Sequence, residues 1–479
     1  MTDVQPGAAA GPGTYPQQGR GPGDAPQPVQ APVPGYAEGA APAPGPGPGE
    51  RGGPDGPAGD APPGAPRRVA FLDVARALAM IGVVLMNAPF VVFSAEMAGE
   101  LDRSTLTSLV DTGLSLLTAG KARAMLMVLI GVGAVLAWHS AVRRGGRPAA
   151  VMARRYAVLG LLFGVPHLLV FDGDILTHYA LTALVLVPLM PLLTGGSRVR
   201  PLAAALVLFA AAPFAELLLH SLLPSHSWTT LVVQVPQTLG LFCVGAWLAR
   251  RPELAPGADA VPSRLPVAML WTGLALEVLG YGAMLAADVF FPMEMGADGV
   301  PVLGDDGMPV EPPGSSLLVS LASTLMGGGG ALFYLGLVWW LVRRGRTSAR
   351  VLGALAPLGR MTLTVYLAST AVFLAVMGPL EGEIPLLAQY GVAVAFFVAA
   401  AAFARVWSGW LRLGPLEWVW RSLTYLRPMP MRRSGAVRVR RPEPRSGAVP
   451  TPVPAPGQHG AGGPSGPPVS SEPQADAHR

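Results

Sequence analysis

The chain has 479 residues, of which 51% are hydrophobic and only 13% charged, and its formal net charge is +5. That balance excludes a soluble globular protein, which cannot hide so much apolar surface. Nucleic-acid binding is excluded as well, because the arginines fall in short loops and a tail rather than on one face with interleaved aromatics. The fold class expected is all-α: a polytopic helical membrane protein of about ten spans.

Residues 1–66 are Pro, Gly, Ala and Gln with scattered charges, a composition that cannot build a core and predicts a disordered tail. No basic region followed by an apolar one precedes the first span, so that span is expected to be an uncleaved anchor. The transmembrane domain is expected over 67–427. Its spans lie near 69–93, 122–142, 155–171, 175–193, 200–222, 229–249, 266–290, 317–342, 360–379 and 386–411. Residues 104–118, STLTSLVDTGLSLLT, are apolar but shorter and more polar, suited to an interfacial or re-entrant segment. Gly414–Tyr425, GPLEWVWRSLTY, reads as an amphipathic helix on the inner leaflet. Residues 428–479 read as a second disordered tail, basic at first, whose arginines suit anionic lipid.

Loop charges alternate. One set of loops carries Arg67 and Arg68, then Arg143, Arg144, Arg147, Arg154 and Arg155, then Arg198 and Arg200, then Arg250, Arg251 and Arg264, then Arg343, Arg344, Arg346 and Arg350, then the arginines after Arg405. The other set carries Glu96, Glu100 and Asp102, then Asp172 and Asp174, then Glu294, Asp298, Asp305, Asp306 and Glu311, then Glu381 and Glu383. By the positive-inside rule both termini are cytoplasmic, and a plasma-membrane location is expected. Lys121 and Arg123 break the pattern, since they open span two on the acidic side. Two readings stand: snorkelling to headgroups, or cations facing the acidic turn or an anionic substrate.

The stretch most loaded with chemistry is the turn Asp172-Gly173-Asp174 between spans three and four. His167 precedes it, and His178 and Tyr179 follow it. Ionisable groups in such a place are costly to keep. Asp174 fits an N-cap for span four and Gly173 a tight turn. A histidine beside a carboxylate is a general-base arrangement, whereas two Asp and two His at this spacing follow no established zinc pattern. At the start of span one, Asp73 and Arg76 lie three apart on one helical face: a local ion pair, or a cytoplasmic ligand contact. Asn87 sits deep in span one and needs a partner, from a neighbouring helix or a substrate. Glu216, Glu277, Gln234 and Gln237 suit a proton pathway or interhelical hydrogen bonds. Gly327–Gly330 allow a kink or a close approach. Span nine opens with Arg360 and is rich in Thr362, Thr364, Tyr366, Ser369 and Thr370, so it is expected to face the protein interior. The lone cysteine, Cys243, is expected to be a small buried hydrophobe.

In order, FLDVARALAMIGVVLMN, GKARAMLMVLIGVGAVL, RRYAVLGLLFGVPHLLVFDGDILTHYAL, LGRMTLTVYLAST and GPLEWVWRSLTY resemble the YeiB-like bacterial membrane family, domain-of-unknown-function family 418. The resemblance spans roughly residues 67–427. That family is similar in turn to transmembrane acyltransferases, including the heparan-glucosaminide acetyltransferases, which move an acyl group from cytoplasmic acyl-coenzyme A to an acceptor at or across the membrane. The resemblance implies acyl-CoA as a donor substrate, with no tightly bound cofactor. Asn87 resembles an active-site asparagine of those enzymes. Their catalytic histidine follows it closely, but here the next histidine is His139. His167 takes that role only where the fold brings it near Asn87. On this reading Asn87, His167, Asp172 and His178 form the catalytic set. Arg76, Arg154, Arg155 and Arg360 hold coenzyme A phosphates, and Asp73, Lys121, Arg123, Asp174 and Tyr179 contact substrate. The alternatives from other classes are a proton-coupled transporter using Glu216 and Glu277, and a non-catalytic scaffold.

Overall fold

A computed structural model describes residues 70–223, 229–255, 262–292, 295, 302 and 312–432. Residues 1–66, Arg67, Arg68, the acidic residues Glu294, Asp298, Asp305, Asp306 and Glu311, and the second expected tail from 433 on lie outside the described residues. Within them the elements are helical. Helix α1 is Ala70–Val91, followed by the short α2 (Ala95–Ala98), α3 (Thr105–Thr118) and α4 (Lys121–Arg143). Next come α5 (Pro148–Val158), a π-helical turn (Leu159–Gly164) and α6 (Val165–Leu168). After the acidic turn follow α7 (Leu176–Leu186), α8 (Met190–Thr194), α9 (Arg200–Leu222), α10 (Thr229–Val233) and α11 (Val235–Ala249). The chain continues through α12 (Leu265–Phe290), α13 (Pro313–Arg344), α14 (Arg346–Gly353), α15 (Ala356–Gly359), α16 (Thr362–Met377), α17 (Leu386–Trp410) and α18 (Pro415–Tyr425).

Nine helical stretches among the described residues are long and apolar enough to cross a membrane. The tenth expected span, 229–249, is broken at Gln234 into α10 and α11, and only the shorter apolar piece Val235–Ala249 is continuous. Pro236 explains the break: proline lacks an N–H and disfavours helical geometry in the residue before it. The polar segment 104–118 is a separate helix, α3, because Gly120 turns the chain at a φ of 72° before α4. Helices α1 and α4 form the centre. In the 105–143 stretch 61% of the most apolar window is buried, against 17% in α9 and in α12. Large apolar side chains on α9 (Leu206, Phe214), α12 (Trp271, Leu285) and α17 (Val394, Val398) point outward, as lipid-facing surfaces require.

Glycine decides how closely the central helices meet. A Cβ on Gly131 or Gly245 would stand 2.2 Å from the Phe242 carbonyl oxygen or 2.0 Å from that of Val128, so α4 and α11 touch backbone to backbone. The same holds for α12 and α13, where Gly273 and Gly280 face the second helix and Gly329 and Gly336 face back, each pair seven residues apart. The run Gly327–Gly330 therefore permits close approach, and α13 continues unbroken through it.

Three carboxylates cap helix starts. Asp174 accepts from the Leu176 and Thr177 amides at 3.1 and 2.7 Å, the capping foreseen for span four. Glu96 accepts from the Leu386 amide at 2.8 Å, at the start of α17. Glu417, from α18, accepts from the Leu363 and Thr364 amides at 2.7 and 3.1 Å and from the Thr364 hydroxyl at 2.6 Å, at the start of α16. Helix α18 is thus docked by one face onto the bundle. Trp420 donates to the Arg155 carbonyl at 2.8 Å and lies under the Arg155 guanidinium, 3.9 Å from the ring centre.

Gly245→Ala is expected to destabilise by about 1–3 kcal/mol, because carbonyl backbone cannot move aside. Gly282→Ala, with no neighbour within 4 Å, is expected to stabilise by about 0.5–1 kcal/mol. Thermal unfolding in detergent separates them. Glu417→Ala leaves three donors unpaired, the buried Leu363 amide and the partly buried Thr364 amide and hydroxyl, and should cost about 1–3 kcal/mol, with Glu417→Gln milder. Burial pushes the Glu417 carboxyl above its ordinary 4.5, against the lowering effect of its Thr364 and Leu363 hydrogen bonds. Between those two values the folded protein keeps a proton that the unfolded chain has lost, so this contribution is complete below pH 4.5 and declines as pH rises through the folded pKa. Wild-type stability relative to Glu417→Gln should therefore be greater at pH 4.5 than at pH 7 in melting curves.

Candidate functional site

The site is built where the third expected span ends. Pro166 has no amide hydrogen, and its ring would clash with the carbonyl four residues back. The helix widens into the π turn Leu159–Gly164 just before it. Such turns recur at functional sites because they re-aim the side chains that follow. Gly164 lets α7 approach, since a Cβ there would meet Thr177 at 2.7 Å. The outcome is a buried His167 folded back over the acidic turn.

His167 Nδ1 lies 2.7 Å from Asp174 Oδ1, and its Nε2 lies 3.0 Å from the Thr370 hydroxyl of α16. Asp174 also spends both oxygens on the α7 cap, so it accepts from three partners. That saturation suits Nδ1 as donor to the carboxylate and Nε2 as acceptor from Thr370. Tyr366, one turn before Thr370, packs its ring 4.9 Å from the His167 ring, and its hydroxyl accepts from the Ile175 amide at 3.3 Å. Tyr366 also stands beside the Asn87 side chain. Asn87 and His167 thus share Tyr366 as a neighbour, and the Asn87 amide nitrogen is buried beside the Tyr366 hydroxyl. His167 and Thr370 form the polar part of the wall of a cleft of about 270 Å³. Its other walls are Leu162, Phe163, Pro166, Val170, Leu367, Ala371 and Leu374.

Other expected site residues go elsewhere. Asp172 is exposed. His178 pins α7 to the broken span: Nδ1 lies 2.7 Å from the Leu231 carbonyl and Nε2 2.7 Å from the Thr238 hydroxyl. Tyr179 donates to the Arg123 carbonyl at 3.1 Å. The Arg123 guanidinium is half-buried near His178 and Tyr179. Lys121 neither snorkels nor faces the turn. It is 2% exposed and forms a 2.9 Å ion pair with Glu277 of α12, with the Tyr281 hydroxyl at 3.2 Å. Its stem runs over Gly330, where a Cβ would stand 2.5 Å from Lys121 Cγ. Glu216 accepts from the Ser320 hydroxyl, and Gln237 donates to Thr324 at 3.0 Å; both bonds are interhelical.

The arginines gather at the opposite end of the bundle. Arg76 pairs with Asp73 at 3.2 Å. Arg360 follows Gly359, which abuts the Asp73 carbonyl. Arg154 donates through Nε to the Thr424 carbonyl at 2.5 Å, and Arg155 stacks on Trp420. Both therefore help hold α18. Among the described residues no group of three or more His, Cys, Asp or Glu side chains could hold a metal.

Residues 302–427 match the family model described as "Protein of unknown function (DUF418)". The family-418 reading holds for that segment. It contains Tyr366, Thr370 and Glu417, whereas His167 and Asp174 lie before it. An uncharacterized 39.9 kDa protein encoded in an amylase 3' region of Bacillus acidopullulyticus is 24% identical over 76% of this chain and 96% of its own length. The uncharacterized protein YxaH of Bacillus subtilis (strain 168) is 26% identical over 77% of this chain and 97% of its own. Both likenesses run well beyond the 302–427 segment.

Sequence reasoning did not single out Thr370 or Glu417 as partners. The polar run in span nine and the GPLEW motif carried the signal, but partners 203 and 54 residues away are set by tertiary structure.

Proposed function

We propose that this DUF418 protein is a membrane acyltransferase whose general base is His167. The observation that carries the reading is the Asp174–His167–Thr370 array on the wall of an apolar cleft. A base oriented by a carboxylate, with its second nitrogen on a hydroxyl, is the arrangement that activates an O–H for attack. In the step envisaged, an acceptor hydroxyl replaces Thr370 at His167 Nε2 and gives it its proton. The acceptor oxygen then bonds to the acyl carbonyl of acyl-CoA. The C–S bond breaks, and the thiolate takes the proton back from the imidazolium. Asp174 keeps the ring in register, and the buried Asn87 amide beside Tyr366 is a candidate donor to the carbonyl oxygen.

The loop charges support an orientation with both termini cytoplasmic in the plasma membrane and the acidic turn outside. Arg76 and Arg360, with Arg154 and Arg155, then lie at the end where the donor's phosphates arrive. Arg155 and His167 are roughly 18 Å apart by helical rise, so the donor thioester must reach deep into the bundle. His167→Ala is expected to lower acyl transfer in nanodiscs by roughly 10²–10⁴-fold, while Asp172→Asn stays near wild type. Full activity in His167→Ala would overturn the assignment.

A second reading, proton-coupled transport, is favoured by one observation: the Lys121–Glu277 pair buried among α4, α12 and α13. An ion pair inside lipid can open and close with a proton. On that reading Glu277→Gln uncouples uptake from a proton gradient in proteoliposomes. Uptake that stays fully gradient-driven in the variant rules it out.

A further inference from the structure

The cleft beside His167 has no role in packing or capping, and its shape limits what can enter. It lies between the π turn with α6 on one side and α16 on the other. Seven of its nine lining residues are apolar. Leu162 on its wall is 46% exposed, and Val165 and Val170 along the same edge are 39% and 60% exposed. This edge belongs to a helix of membrane-crossing length, Pro148–Leu168, and to the turn that follows it. The opening is therefore sideways, toward lipid. The cleft holds about 270 Å³, room for a single hydrocarbon chain. The only polar groups on the wall, His167 and Thr370, bond each other across it. An ester on a chain lying there thus finds its polar partners at that pair.

We infer that the cleft is a binding site for one acyl chain of a bilayer phospholipid, entering sideways between α6 and α16 with its ester end at His167. The inference goes beyond the acyl-transfer reading, whose donor is acyl-CoA, by naming what occupies the cleft, and it is tested by binding alone. The protein is placed in nanodiscs with a phospholipid carrying a photoactivatable group on its acyl chain, and crosslinked peptides are mapped by mass spectrometry. Labelling is expected at 162–170 and 367–374, saturating with probe. It should fall at least fivefold in Ala371→Trp, which fills the cleft, and stay unchanged in Val376→Trp on the exposed face of the same helix. Leu162→Trp, at the rim, serves in the same way where Ala371→Trp does not fold.

Labelling at the cleft that merely equals labelling around Val394 and Val398, and that ignores both tryptophans, overturns the inference and leaves ordinary annular lipid. Labelling by a photoactivatable acyl-CoA added from solution, with none from the phospholipid, overturns the lipid source. Cleft labelling in a protein without transferase activity keeps the site and removes the acyl-transfer reading. Transfer without cleft labelling does the reverse.

Discussion

The structure depends on one constraint: a helix that begins inside or beside lipid exposes amide hydrogens that water cannot satisfy. Three carboxylates meet it here. Asp174 does so locally, with the cap two and three residues away. Glu96 and Glu417 do so from a distance, joining α2 to α17 and α18 to α16. A negative group at a helix N-terminus gains from the backbone dipole as well as from the hydrogen bonds. Each of the remote caps is therefore also a tertiary contact, and the ends of α16 and α17 are tied to segments outside the spans. This accounts for Glu417 being buried in a helix that composition alone places on a lipid surface.

A second use of charge runs through the bundle centre. Lys121 and Glu277 sit where a charge without a partner would be costly, and neither stands alone. The lysine stem needs room, which the lack of a side chain at Gly330 provides. The adjacent Gly329 faces the other way and brings α13 onto α12. One glycine run thus serves two packing problems on two faces of a helix. The pairing also resolves the anomaly in the loop charges, because Lys121 lies inside the protein and does not belong to the loop that precedes it.

Much of this was legible in the chain. Span positions follow from apolar run length, which is local, and the structure keeps nearly all of them. The Asp174 cap was legible for the same reason: donor and acceptor are neighbours in sequence. The break at Gln234 has a local signal too, Pro236. The partners of His167, His178, Lys121 and Glu417 were not legible, since each is fixed by how helices rotate against one another, and two residues of equal polarity cannot be ranked by composition. His167 and His178 illustrate this. They flank the same turn with the same chemistry, yet one meets a carboxylate beside a cleft and the other a carbonyl and a threonine inside a helix junction.

That divergence bears on chemistry. His178 has both ring nitrogens committed to groups that hold α7 against α10 and α11, and it does not line the cleft beside His167. His167 has one nitrogen held by a carboxylate that is itself fixed by the α7 cap. Its other nitrogen meets a hydroxyl, which a second hydroxyl can replace without loss of hydrogen bonding. The cap is what makes the arrangement stiff: Asp174 cannot swing away from His167 without releasing the first turn of α7. A structural necessity of the bilayer, the need to satisfy the start of a helix, thereby becomes the device that orients a base. The chemistry and the fold share Asp174, so substitutions there test both at once, whereas His167 and Thr370 separate them.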